Sequence, residues 1–160
     1  MNHPLATYLK RFFSHYLPVQ KGLSPHTVAA YRDAVKLLLC YGADTLELSV
    51  DALDVEAITE PLVSDFLDHL EQVRGCRTST RNARLAAIRG LFAFIAREEP
   101  VLVSQCQAIR TIPLKRTEHK TVEYLEEDQM QALLDAVDID SRTGIRDRAL
   151  LMVLYNTGAR

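Results

Sequence analysis

What this chain of 160 residues has little of narrows its function before any motif is read. No apolar run approaches the roughly 20 residues that a membrane-spanning helix needs. The opening MNHPLATYLKRFF is interrupted by polar residues before a signal-peptide core can form, so a cytoplasmic location is expected. Cysteine is scarce: Cys40, Cys76 and Cys106 are odd in number and form no CxxC. They read as reduced thiols rather than a disulfide framework or zinc ligands. The five histidines, at 3, 15, 26, 69 and 119, keep no ligand spacing with the cysteines, so a metal site is not expected. Glycine and proline are few, with six of each, and there is no internal repeat or low-complexity run. What remains, 48% hydrophobic and 25% charged, is a globular composition. The length suits one ordinary domain, or a small domain plus part of another.

The net charge of −2 alone argues against a nucleic-acid binder, but its distribution argues the other way. Residues 1–73 hold five Lys and Arg against ten Asp and Glu; residues 74–120 hold ten against three; residues 121–160 hold four against eight. A block of +7 thus lies between blocks of −5 and −4. Concentrated positive charge of this kind can hold a polyanion locally, although a solvated basic face accounts for the charge equally well.

Periodicity places six helices. The apolar positions of LATYLKRFFSHYL (5–17) follow one helix face, which PVQKG then breaks. A second helix opens with Ser24 as N-cap and Pro25 in the first turn, carries Val28, Tyr31, Val35, Leu38 and Leu39, and is expected to stop at Gly42. Residues 43–59 show no strong period and read as a loop. A third helix follows Thr59, with Leu62, Phe66 and Leu70 four apart. A fourth, TRNARLAAIRGLFAFIAREE, is capped by Thr78 or Ser79 and ends before Pro100. Residues 100–122, with two prolines, no helical period and a basic cluster, read as a linker. YLEEDQMQALLDAV is a fifth helix, with acids in its first turn. IRDRALLMVLYNTG is a sixth, apolar nearly all round beyond its charged start, and so expected in a core larger than two helices provide. The expected fold class is therefore all-α.

Four segments in order resemble the tyrosine recombinase family of phage integrases and Xer-type enzymes. GLSPHTVAAYRDAVKLLLCY (22–41) is similar to the family's Leu-Ser-x-x-Thr-x-x-x-Tyr opening. STRNARLAAIRGLFAFI (79–95) is similar to its Thr-x-x-x-x-Leu-x-x-Ile/Leu-Arg-x-x-Phe segment. IRTIPLKRTEHKTVEYLEEDQMQALLDA resembles the family linker and first catalytic-domain helix, and IRDRALLMVLYNTGAR resembles the Arg-Asp-x-Ala…Tyr-x-Thr-Gly-x-Arg signature. The resemblance implies a SAM-like core-binding domain over 1–99, a basic linker over 100–122, and the first two helices of a catalytic domain over 123–160. It also implies double-stranded DNA as the partner, gripped from opposite sides by the two domains, and a tetramer acting on two duplexes. Strands would be cut and rejoined through a phosphotyrosine, without metal or nucleotide cofactor. No membrane and no small-molecule substrate are expected.

By the same resemblance, Arg160 matches the first of two arginines that grip the scissile phosphate. A guanidinium suits that place because it is always cationic and donates in a planar fork. The lysine, the His-x-x-Arg motif, the further His or Trp and the nucleophilic tyrosine of the family have no match in these residues, so DNA binding without cleavage is expected. None of the six tyrosines sits in a nucleophile context, and Arg146 and Arg148 read as partners of Asp147. Candidate DNA contacts are Thr27 and Arg32 on the second helix, Arg77, Arg81, Asn82, Arg84 and Arg89 at the fourth, and Arg110, Lys115, Arg116 and Lys120 in the linker. For Thr27, helix capping competes with DNA contact. At about 100° per residue, Arg81 and Arg84 share an azimuth with the core positions Leu85, Ile88, Leu91, Phe92 and Ile95, whereas Asn82 and Arg89 lie on a flank. The fourth helix is therefore expected to project its basic N-terminal half beyond the bundle. A different class, a helical module that binds a full-length recombinase or another protein rather than DNA, stays open on these residues.

Overall fold

The computed structural model describes residues 3–117 and 125–158, which separate into two units with a boundary at Thr117. The fold is all-α, with seven α-helices and no strand among the described residues.

In the first unit, α1 (Leu5–Arg11) runs without a break into a π-helical stretch, Phe12–Gln20, that contains Pro18. Proline has no N–H to give the ladder, and the wider π turn is where the chain accommodates it. Phe12, fully buried, packs against Phe94 and Tyr16 at ring-centroid distances of 5.5 and 5.6 Å. Helix α2 (Pro25–Leu46) begins as the sequence predicts, with Ser24 Oγ accepting from Thr27 N at 3.3 Å.

Its end differs. Gly42 is buried inside α2, where an added Cβ would lie 3.4 Å from Ile58 Cδ1 and 3.6 Å from Leu62 Cδ2. A Cβ there would make only ordinary contact, and the glycine continues the helix, which ends four residues later at Leu46; its C-cap Glu47 takes the left-handed conformation (φ 54°). The expected loop that follows contains two 3-10 turns, Val50–Ala52 and Val55–Ala57, pinned by the buried side chains of Leu53, Val55 and Ile58.

Thr59 caps α3 (Glu60–Gln72), which buries Leu62, Val63, Phe66, Leu67 and Leu70. Helix α4 (Thr78–Glu98) has Arg77 at its N-cap and no side-chain cap. The hydroxyl of Thr78, expected to cap it, instead donates to Glu71 Oε1 at 3.4 Å.

Residues 100–112 correct the linker reading. A helix, α5 (Val103–Thr111), packs on α4 and α3 and buries Cys106 and Ile109 completely, with Leu102 and Ile112 beside them. Leu102, Cys106 and Ile109 stand four and three apart, one helix face, but over only nine helical residues bounded by prolines. Gln105 Nε2 secures α5 to the 3-10 turns by donating to the carbonyls of Val55 and Ile58 at 2.9 Å each.

The second unit is a helical pair. Helix α6 (Glu127–Asp135) is entered through a capping box between Glu126 and Gln129. Helix α7 (Arg142–Thr157) is capped by Ser141 Oγ, which accepts from Gly144 N at 3.0 Å, and ends at Gly158 (φ 62°). Gly144 is required, since a Cβ there would overlap the Asp138 carbonyl oxygen. The pair buries Met130 and Leu134 but leaves Leu150, Val153, Leu154 and Tyr155 exposed along α7, so the apolar sixth helix predicted from sequence is not enclosed by its own unit.

The packing of α5 yields two predictions. Ile109→Ala should cost about 2–5 kcal/mol in chemical denaturation, the usual range for emptying a buried site, whereas a linker residue would cost nearly nothing. Burial pushes the Cys106 thiol up to about 11. A thiol reagent near pH 8 should therefore modify the exposed Cys40 and the half-buried Cys76 in the native chain, and Cys106 only after denaturation.

Candidate nucleic-acid interface

The predicted DNA contacts separate into an internal set and an external set. Arg81, Asn82 and Arg89 make up the first, on one side of α4. Arg81 is only 5% exposed, and its Nη1 donates to the Pro113 carbonyl at 3.1 Å and to Asn82 Oδ1 at 3.2 Å. Arg89 Nη2 donates to the Ile112 carbonyl. Asn82 pairs twice with Lys115: its Nδ2 donates to the Lys115 carbonyl at 2.7 Å, and its Oδ1 accepts from the Lys115 N–H at 3.1 Å. A guanidinium withdrawn from water must be hydrogen-bonded to be tolerated, and the tail after α5 supplies acceptors to one Nη group of each arginine, while their buried Nε–H groups have no partner among the described residues. Here the structure departs from the expected projection of Arg81 beyond the bundle. Its azimuth among the core leucines is real, and burial follows from it.

Lys115 is engaged at both ends. Its Nζ pairs with Glu71 and lies 3.7 Å from Asp68 Oδ1, both on α3. The hydrogen bond from Lys115, with help from the Arg81 charge, holds the Glu71 carboxyl below the usual carboxylate range. Sequence reading missed Glu71 and Asp68, because nothing in the chain signals that residues 112–115 return to α3.

Of the external set, Thr27, Arg77 and Arg84 lie at the N-terminal halves of α2 and α4. A groove of about 470 Å³ between them is lined by Thr27, Ala30, Tyr31 and Asp33 from α2 and by Thr80, Ala83 and Arg84 from α4. Thr27 gives its backbone N–H to the Ser24 cap, its hydroxyl lies 3.0 Å from Ser24 Oγ, and the residue also lines this groove. Arg84 is half-buried and donates to Cys76 Sγ at 3.1 Å. Arg77 and Arg116 are exposed, at the start of α4 and just after the Asn82-bound residue. Arg32 is exposed on α2, with its guanidinium 5.8 Å from the Phe13 ring centroid. Arg110 is exposed on α5 and donates to Gln107 Oε1 of its own helix at 3.2 Å. Lys120 and Arg160 lie outside the described residues. Arg146 pairs with Asp147 as expected, and Arg148 lies 3.8 Å from Asp135 Oδ1. No cluster of metal-ligating side chains and no helix long and apolar enough to cross a membrane occurs among the described residues.

The helical unit that carries two of the motif segments, on α2 and α4, is a SAM-like domain. The sequence profile of the phage integrase N-terminal SAM-like domain matches residues 9–99, and the chain belongs to the phage integrase family of tyrosine recombinases. It is 38% identical over 156 residues to the putative integrase/recombinase y4rD of Sinorhizobium fredii, covering 98% of this chain and 56% of that protein. It is 31% identical over 158 residues to the tyrosine recombinase XerC of Pelobacter propionicus, covering 98% and 49%. Against the tyrosine recombinase XerD of Staphylococcus epidermidis it is 31% identical over 160 residues, covering 100% and 50%. The chain spans about half the length of the curated relatives it matches. No solved structure matches it.

The depressed Glu71 carboxyl makes the attachment of the tail pH-dependent. A carboxylate whose pKa is lowered on folding stabilises above its unfolded pKa and loses that contribution as pH falls through the lowered value. Exchange of the Lys115 amide, which Asn82 Oδ1 holds, corrected for its intrinsic pH dependence, should therefore rise as the pH drops below about 4. Glu71→Gln should reproduce the rise at neutral pH.

Proposed function

We propose that this chain is the DNA-binding portion of a site-specific tyrosine recombinase, and that the N-terminal halves of α2 and α4 form its contact with the duplex. The observation that carries this reading is the groove between them, which brings Thr27, Thr80 and Arg84 together, with the exposed Arg77 at the start of α4. Arginine supplies phosphate contacts and bidentate base contacts, and threonine and alanine offer hydroxyl and methyl groups to base edges in the major groove. The two motif segments that mark the family fall on these same two helices.

The parent reaction on this reading is strand cleavage and rejoining through a phosphotyrosine, carried out by a tetramer on two duplexes. These residues are assigned the binding part of it. Among their tyrosines, Tyr8 is buried and donates to Glu99, and Tyr16, Tyr31 and Tyr41 are packed in the bundle. Arg160 keeps its assignment as the match to the family's first phosphate-gripping arginine.

A second reading, a protein-interaction module acting on a full-length recombinase, draws on one observation: the apolar side of α7 exposed in its own unit. The two readings part on salt dependence. Three phosphate contacts, from Arg77, Arg84 and Arg116, predict that log K falls with log salt with a slope of about −3 on a short duplex. Arg77→Ala with Arg84→Ala should weaken binding at least about tenfold and bring the slope to about −1, with helicity unchanged. Absence of binding to any duplex at low salt would contradict the DNA reading.

A further inference from the structure

The tail after α5 is seated on α4 in register. Pro113 cannot continue a helix, and Ile112 before it takes an extended conformation (ψ 122°). The carbonyls of Ile112, Pro113 and Lys115 then meet Arg89, Arg81 and Asn82, so the tail runs back along α4 toward its N-terminus. The lengths agree. Seven helical residues, from Asn82 to Arg89, rise about 10 Å, and three extended residues, from Ile112 to Lys115, cover about the same distance. Among the described residues of the tail, Lys115 is the last with a hydrogen bond or ion pair. Its backbone is paired with Asn82 and its ammonium is occupied by Glu71 and Asp68.

The next residue is Arg116, exposed and without a side-chain partner among the described residues. Lys115 reaches the same Glu71 carboxylate that accepts from Thr78, the first residue of α4. Arg116 therefore follows directly on a residue tied to the first two turns of α4, at Asn82 and, through Glu71, at Thr78. On the reading proposed above, that is where the duplex lies.

We propose that Asn82, supported by Arg81 and Arg89, is a positioning residue. It contacts backbone rather than DNA, and by fixing Lys115 it delivers the Arg116 guanidinium to a DNA phosphate beside the N-terminus of α4. This inference rests on the DNA-binding reading. The advantage lies in preorganisation: a tail already ordered on α4 spends none of the binding free energy on ordering itself.

The test is a double-mutant cycle on the full 160-residue chain, read as affinity for a short mixed-sequence duplex. Arg116→Ala in the wild-type background should weaken binding about three- to tenfold and reduce the salt slope by about one. Asn82→Ala should weaken it by the same factor, and Arg116→Ala added to Asn82→Ala should cost nothing further. Trypsin cleavage after Lys115 and Arg116, measured without DNA, should be faster in Asn82→Ala. As a second variant that leaves α4 untouched, two glycines inserted between Leu114 and Lys115 slide the tail out of register and should likewise abolish the Arg116 effect. Equal costs of Arg116→Ala in all three backgrounds would overturn the proposal. So would an Asn82→Ala loss that adds fully to the Arg116→Ala loss, since that is the signature of direct contact by Asn82. If the wild-type chain binds no duplex, the DNA reading itself fails and the positioning role goes with it.

Discussion

The structure depends on one requirement: a guanidinium buried in the bundle must be given acceptors. Arg81 sits among the core positions of α4, where its charge would be prohibitive without hydrogen bonds. The acceptors come from main chain that Pro113 has released from helix. The same proline that ends α5 turns the carbonyls of residues 112 and 113 toward α4, and Arg81 and Arg89 bind them. Asn82 extends the pairing by one more residue. The first unit consequently runs through α5 and the tail to Thr117, well past the family match at 9–99. The energetic logic is mutual. The tail has backbone groups that need partners, and α4 has cations that cannot be left bare.

This requirement also sorts the basic block. Ten Lys and Arg between 74 and 120 suggest a single electropositive surface. In the fold, Arg81, Arg89 and Lys115 are engaged with carbonyls and carboxylates inside the unit. Arg77 and Arg84, at the first two turns of α4, and the exposed Arg116 after Lys115 remain as groups that can meet an anion. A modest number of external cations agrees with a chain whose overall charge is slightly negative.

Much of the helical layout was legible because long amphipathic helices carry redundant signals. Ser24 with Pro25 and Thr59 with Pro61 mark starts, and the stripes of α3 and α4 repeat over several turns. Short or dual-purpose signals were not legible. Gly42 has the residue type of a helix stop but lies buried inside α2 against Ile58 and Leu62, and the helix runs on to Leu46, which only the third dimension reveals. Helix α5 offers two turns of pattern between prolines, too little to outweigh them. For the site, the azimuth of Arg81 was readable, but its carbonyl partners come from Pro113, 32 residues downstream, and no local rule links them. Glu71 and Asp68 were equally hidden, since a pair of acids near a helix end reads as solvated surface. Outside α5, what sequence captured is which residues lie on which helix. What it missed is which cations the fold turns inward.

The account's central claim is that α4 divides its polar residues between an inward clamp and an outward interface. The most direct test is a titration of the isotope-labelled chain with a short duplex, following backbone amides and arginine Nε–H resonances by NMR. The claim predicts large shifts at Thr27, Arg77, Thr80 and Arg84, with the Arg81 and Arg89 Nε–H and the Lys115 amide nearly unmoved. Shifts centred on the Nε–H groups of Arg81 and Arg89, with loss of protection at Lys115, would show that the clamp opens to bind DNA and would contradict it.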